Sequence, residues 1–232
     1  MGGIHVTHRA TNNSNYTGVQ AKLTLPTYIS SIPTEGQGIK PEFIFGFYKG
    51  NYGLDIGVFY QDSTFKLFYW SLPYTTPNYG ASSNSDQGGE SSSIGASVGE
   101  QITLKAYLNG NKITCEAIRS NGSKTILDCP LSTSALADFQ TGAKINRELV
   151  IAADPTPANP NDVYFYDAIF SEGVLTTTST TQEKVSDSNT MIQKNINDGN
   201  VVVPALKILD CEWGTDANGY AYEKASCDMN QN

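Results

Sequence analysis

The chain has 232 residues, 15 basic and 23 acidic, for a formal charge of −8 and a pI near 4.7. Only 16% of it is charged, and Gly, Ser, Thr and Asn make up more than a third, which excludes a helical bundle or coiled coil built on Ala, Glu, Lys and Leu. The acidic balance argues against a nucleic-acid partner, since phosphates are held chiefly by Lys and Arg.

Residues 1–16, with the only two histidines, His5 and His8, read as an N-terminal arm. Two histidines alone make a weak metal site. From residue 19 the apolar pattern has period two. Val19, Ala21, Leu23 and Leu25 alternate with polar residues and stop at Pro26, which cannot donate to a sheet ladder. Phe43, Phe45 and Phe47 mark a strand over 42–48, Leu54, Ile56 and Val58 one over 53–60, and Phe65, Leu67 and Tyr69 one over 64–70. Residues 74–99, rich in Ser, Gly and Asn, predict a long surface loop. Ile102, Leu104, Ala106 and Leu108 lead into Asn109-Gly110, and Ile113, Cys115 and Ala117 lead out, which is a strong hairpin signal.

Residues 132–137 suit one helical turn. Strands follow over 148–153, 163–170 and 201–209, with a polar connector at 176–181 and a terminal hairpin at 210–232. About ten such strands describe an all-β fold, an antiparallel two-sheet jelly-roll sandwich, in one domain spanning 1–232. No apolar run approaches the roughly 20 residues of a membrane span. The start, Met1-Gly2-Gly3, is unlike a signal peptide, so any such leader is expected to have been removed.

The four cysteines are Cys115, Cys129, Cys211 and Cys227. Pairing Cys115 with Cys129 and Cys211 with Cys227 closes short loops across turns, although four cysteines allow three connectivities. Two bridges, each stabilising by about 3 kcal/mol, predict an oxidising compartment and a secreted, extracellular protein. The C-x-x-C spacing of a zinc site is missing.

Strand parity sends Asp55, Phe59, Lys66, Phe68 and Trp70 to the face opposite the core. Glu42, Gly46, Tyr48, Glu148 and Val150 join them from neighbouring strands. A concave face with Trp70, Phe68, Phe59 and Tyr48 beside Glu42 and Lys66 suits an extracellular glycan or peptide, whose rings or side chains stack on aromatic planes. The alternative is that these aromatics form a second, covered core layer. Residues 154–162 make an oxygen-rich loop in which Asp154 and Asp162 offer calcium ligands, while three prolines also explain it as a rigid turn. A monomer without a cofactor is the expectation.

The order of segments resembles the eqolisin-type glutamic peptidases, a family with a curved, concanavalin-like β-sandwich. The segments GLDIGVFY, FKLFYWSLP, GEQITLKAYLNGNKITCEAI, NRELVIAADP, YFYDAIFSEGVL and TMIQKNINDGNVVVPALKI, over roughly residues 42–209, look like successive strands of that family. The resemblance implies a Glu as general base at Glu148 and places Asp55 where the family has its oxyanion-binding Gln. Leu149 stands where the family has Trp. An ionised Asp cannot donate as an amide does, so only a protonated Asp55 can serve that role.

Three functions stay open: a polymer-binding sandwich, a divergent acid-acting hydrolase (peptidase or glycoside hydrolase) using Glu148 and Asp55, and a structural surface protein. Both carboxyls on one open face would favour the hydrolase. If Glu148 is buried in a salt bridge, or the two carboxyls face different sheets, the hydrolase reading fails.

Overall fold

A computed structural model describes residues 2–31, 39–73, 88–153, 163–198 and 207–229. The elements in order are β1 (Gly2–Thr11), β2 (Tyr16–Thr24), β3 (Tyr28–Ser30), β4 (Lys40–Lys49), β5 (Tyr52–Gln61), β6 (Thr64–Pro73), β7 (Gly88–Ser93), β8 (Gln101–Asn109), β9 (Lys112–Ile118), β10 (Lys124–Pro130), α1 (Thr133–Gln140), β11 (Lys144–Ala153), β12 (Tyr164–Thr177), β13 (Gln182–Lys184), β14 (Thr190–Asp198), β15 (Lys207–Thr215) and β16 (Ala221–Asp228). They form two antiparallel sheets. One runs β14-β1-β11-β4-β5-β6-β7; the other runs β10-β9-β8-β2-β12-β16-β15, with β3 and β13 also paired to β12.

The core follows the period-two pattern. Phe43, Phe45, Phe47, Leu54, Ile56, Val58, Phe65 and Leu67 of the first sheet are buried against Leu23, Ile102, Leu104, Phe165 and Phe170 of the second. Rings meet across the sandwich: Phe43 and Phe165 edge to face at 5.7 Å, Phe45 and Phe170 at 5.5 Å. Such aromatic pairs contribute beyond their buried area. The Asn109-Gly110 hairpin forms with Gly110 at φ 62°, a conformation that glycine adopts at little cost. Ser132 caps α1, its hydroxyl accepting from the Ala135 amide, and the helix buries Ala135 and Phe139.

Four expectations are corrected or fall outside the description. Residues 2–11 are not an arm; β1 lies between β14 and β11 inside the first sheet. The expected loop over 74–99 contains the edge strand β7, whose Gly-Gly-Glu-Ser-Ser-Ser sequence has no apolar alternation to reveal it; residues 74–87 lie outside the described residues. Most of the expected strand over 201–209 also lies outside them, with β15 starting at Lys207.

The expected disulfides are absent as well: Cys115, Cys129, Cys211 and Cys227 are all thiols. In the first hairpin Cys115 stands opposite Leu127 and Cys129 opposite Ile113, so the two thiols are diagonal neighbours. Diagonal positions lie about 7–8 Å apart, beyond ordinary bridging distance. Cys211 stands opposite Ala225 and Cys227 opposite Ile208, again a diagonal, with a register shift between them. Among the described residues no helix is long and apolar enough to cross a membrane.

Candidate active site

The outer face of the first sheet is laid out by its register. One row across the strands reads His8, Glu148, Ile44, Gly57, Phe68, Glu90. The row on one side reads Asn146, Gly46, Asp55, Trp70, Gly88, and the row on the other reads His5, Val150, Glu42, Phe59, Lys66, Ser93. Glu148 and Asp55 therefore share a face, with β4 between them and one row of offset. Strand spacing puts their Cα atoms about 12 Å apart.

Glu148 is buried, at 2% exposure, and both of its oxygens face histidines. His5 Nδ1 lies 2.6 Å from Oε2 and His8 Nε2 lies 3.4 Å from Oε1. His5 and His8 are three apart and would point to opposite faces of a regular strand. A bulge between His5 and Thr7 breaks the alternation and brings both rings to the outer face, while Val6 is fully buried in the core. Asn146, two residues before Glu148 on the same face, has its Nδ2 3.0 Å from His8 Nε2. Burial alone would raise the Glu148 carboxyl. The His5 hydrogen bond, the His5 and His8 charges and the Asn146 amide outweigh it and hold the group below its usual range. Burial pushes His8 down, against the attraction of Glu148.

Asp55 goes the other way. Burial first, then repulsion from Glu148 and Glu42, raise it to about 8, although the hydrogen bond from Tyr48 opposes them. Tyr48 donates to Asp55 Oδ1 at 2.5 Å. The ring reaches Asp55 across Gly46, where a Cβ would stand 2.4 Å from Tyr48 Cε2. Glu42 is buried beside Lys40 and is raised to about 7, chiefly by desolvation. Their surroundings thus push the two carboxyls in opposite directions, the split on which acid and base roles depend.

The aromatic surface is smaller than expected. Phe59 and Phe68 are 0% and 6% exposed and form a second apolar cluster with Ile44 and Val150. Lys40 and Lys66 lie over the Phe59 ring at 4.1 and 5.8 Å, and Lys66 pairs with Glu90 at 3.7 Å. Phe59 and Phe68 are therefore not stacking platforms, because their neighbours already cover them. Trp70 and Tyr48 remain half-exposed on either side of half-buried Asp55.

Three residues of the site were missed by sequence reasoning. His5 and His8 were hidden by the bulge, whereas Asn146 carries a readable signal, the same parity as Glu148. Asp154 and Asp162 lie outside the described residues. Among the described residues no group of three His, Cys, Asp or Glu side chains is arranged to hold a metal ion.

No family model matches the sequence. No curated protein matches it either. The fold is that of scytalido-glutamic peptidase. One structure of that enzyme, with a transition state analog inhibitor, aligns with TM-score 0.53 and 15% identity over 98% of this chain and 96% of the other. A second, with a peptide-based transition state analog, gives 0.52 and 14% over the same shares. The sequence resemblance to eqolisin-type glutamic peptidases agrees with this likeness of fold.

Proposed function

We propose that the chain is a hydrolase that cleaves peptide bonds of a polymeric substrate on the outer face of its first sheet. The observation that carries this reading is the placing of two buried carboxyls on that face in opposite surroundings, Glu148 hydrogen-bonded to His5 and Asp55 beside Tyr48, which push the first down and the second up. Glu148, hydrogen-bonded to His5, takes a proton from the attacking water and returns it to the leaving amine as the C–N bond breaks. Protonated Asp55 donates a hydrogen bond to the oxygen that becomes negative in the tetrahedral intermediate, the task an amide performs in a glutamic peptidase of the eqolisin type. Trp70 and Tyr48 form walls beside it.

The burial of Glu148 against two histidines counts against a lone carboxylate base. The reading is kept despite that burial because the partners are histidines, which unlike Lys or Arg can release a proton. Likeness of fold to scytalido-glutamic peptidase favours a peptide over a glycan. An extracellular place of action is proposed without the bridges that argued for it.

The test is hydrolysis of an unfolded protein substrate across pH 3–9. Wild type is expected to cleave, and Glu148→Gln to lose about 10²- to 10⁴-fold in kcat while remaining folded, as circular dichroism would show. Equal activity of wild type and Glu148→Gln, or none in folded wild type, rejects the reading.

A further inference from the structure

Water reaches the two rings against Glu148 more readily than it reaches the carboxylate itself. His5 and His8 are 16% and 21% exposed, Glu148 2%. The solvent pH therefore sets the charge of the rings, and the rings set the state of the base. Histidine changes charge in the neutral range. While both rings are neutral, Glu148 accepts a hydrogen bond from His5 Nδ1 at 2.6 Å and faces no cation. Once a ring is protonated, Glu148 becomes half of a buried ion pair. Taking a proton from water would then leave an imidazolium buried without its counter-charge, which is the costly way to break such a pair.

The contacts around His8 are built for the neutral ring. The Asn146 amide nitrogen lies 3.0 Å from His8 Nε2 and also donates to Glu148. An amide nitrogen only donates, so Nε2 accepts here and its proton is absent. Burial favours the same state. The charged groups that act on the pair come from the strands around it: Lys144 on β11 acts on His8, and Glu42 on β4, paired with Lys40, and Asp55 on β5 both feel His5. On β14 the residues opposite His5 and His8 are Ile196 and Gln193, which carry no charge. Lys194, opposite Thr7, lies over the Trp213 ring.

We propose that His5 and His8 are positioning residues that gate the base: Glu148 takes the proton of the attacking water only while both rings are neutral, so the site works at neutral pH and closes in acid. The gate rests on the reading of Glu148 as the base. It moves the reaction out of the acid range expected from the sequence and gives the lower limit of activity to the histidines, as Asp55 gives the upper.

The experiment sets the pH–rate profile for an unfolded protein substrate beside the imidazole proton signals of the same chain, whose only two histidines are His5 and His8. Wild-type kcat is expected to fall about tenfold or more from pH 7 to pH 5, with a midpoint that matches the titration of one ring. His5→Lys fixes beside Glu148 the cation that histidine carries only in acid, whereas His5→Gln donates without charge. At about pH 7 the kcat of His5→Lys is expected to lie about tenfold or more below that of His5→Gln. Equal rates in the two variants, or undiminished wild-type activity with both rings protonated, overturn the gate and leave hydrolysis standing. Should either variant fail to fold, the wild-type comparison decides: coincident rate and ring midpoints support the gate, and separate midpoints overturn it. No cleavage by folded wild type at any pH is a different result, which rejects the hydrolase reading and the gate with it.

Discussion

Glu148 and Asp55 have the same functional group, and their neighbours push them in opposite directions. Glu148 accepts from His5 and is held low; Asp55, by burial first and then by facing other carboxylates, is raised to about 8. If Asp55 works as a donor, it works only while protonated, so activity falls as pH rises through about 8. Asp55→Asn separates donor from proton. The amide donates at every pH and still accepts from Tyr48, so this variant is expected to retain activity and lose the alkaline limb of its pH–rate profile. Asp55→Ala, with no donor, is expected to lose about 10²- to 10³-fold in kcat. An unchanged alkaline limb in Asp55→Asn would assign that limb to another group and remove Asp55 from the chemistry.

At the scale of the strand, two glycines on the site face do different work. At Gly57 a Cβ would meet the Phe43 carbonyl oxygen at 2.1 Å and the Ile44 Cα at 3.0 Å, both backbone atoms of β4. They cannot move without spreading the β4–β5 ladder, so Gly57→Ala is expected to lower stability by about 1–3 kcal/mol in denaturant unfolding. At Gly46 the obstacle is the end of the Tyr48 side chain, which can swing away. Gly46→Ala is therefore expected to fold, with Tyr48 displaced from Asp55. Because the Tyr48 hydrogen bond lowers the Asp55 carboxyl, its loss moves the alkaline limb to higher pH.

The strands also set what the sequence could reveal. Alternation over β4, β5, β6 and β11 made parity readable, and it placed Glu148, Asp55, Tyr48 and Trp70 on one face. A single inserted residue at the Val6 bulge was enough to hide His5 and His8. The cysteine pairing failed for a related reason: spacing brings two strands together, but only the register says whether two thiols stand opposite or diagonal. Phe59 and Phe68 show the limit of parity, which gives a direction but not whether neighbours such as Lys40 then cover the ring.

For the whole molecule, the buried acids of the site set how stability depends on pH. Asp55 and Glu42 titrate at about 8 and about 7 in the folded chain, against about 4 when unfolded. Between these limits the folded state holds more protons than the unfolded state, so stability falls as pH rises from about 4 to 8. His8 opposes this weakly: its lowered value means the unfolded chain binds the extra proton, and stability rises with pH until about 6.5. Below about pH 4 the balance reverses. Glu148, Asp187, Asp167 and Asp128 are held below their usual range by partners, and their contribution is lost as pH falls through their folded values. Two raised carboxyls outweigh one lowered histidine, so the melting temperature is expected to peak near pH 4–6 and to fall by several degrees towards pH 8. In Asp55→Asn with Glu42→Gln both titrations vanish, and the decline between pH 6 and 8 is expected to flatten. A double variant that melts with the wild-type slope over that range would place the raised carboxyls elsewhere, and would remove with them the protonated Asp55 on which the proposed chemistry rests.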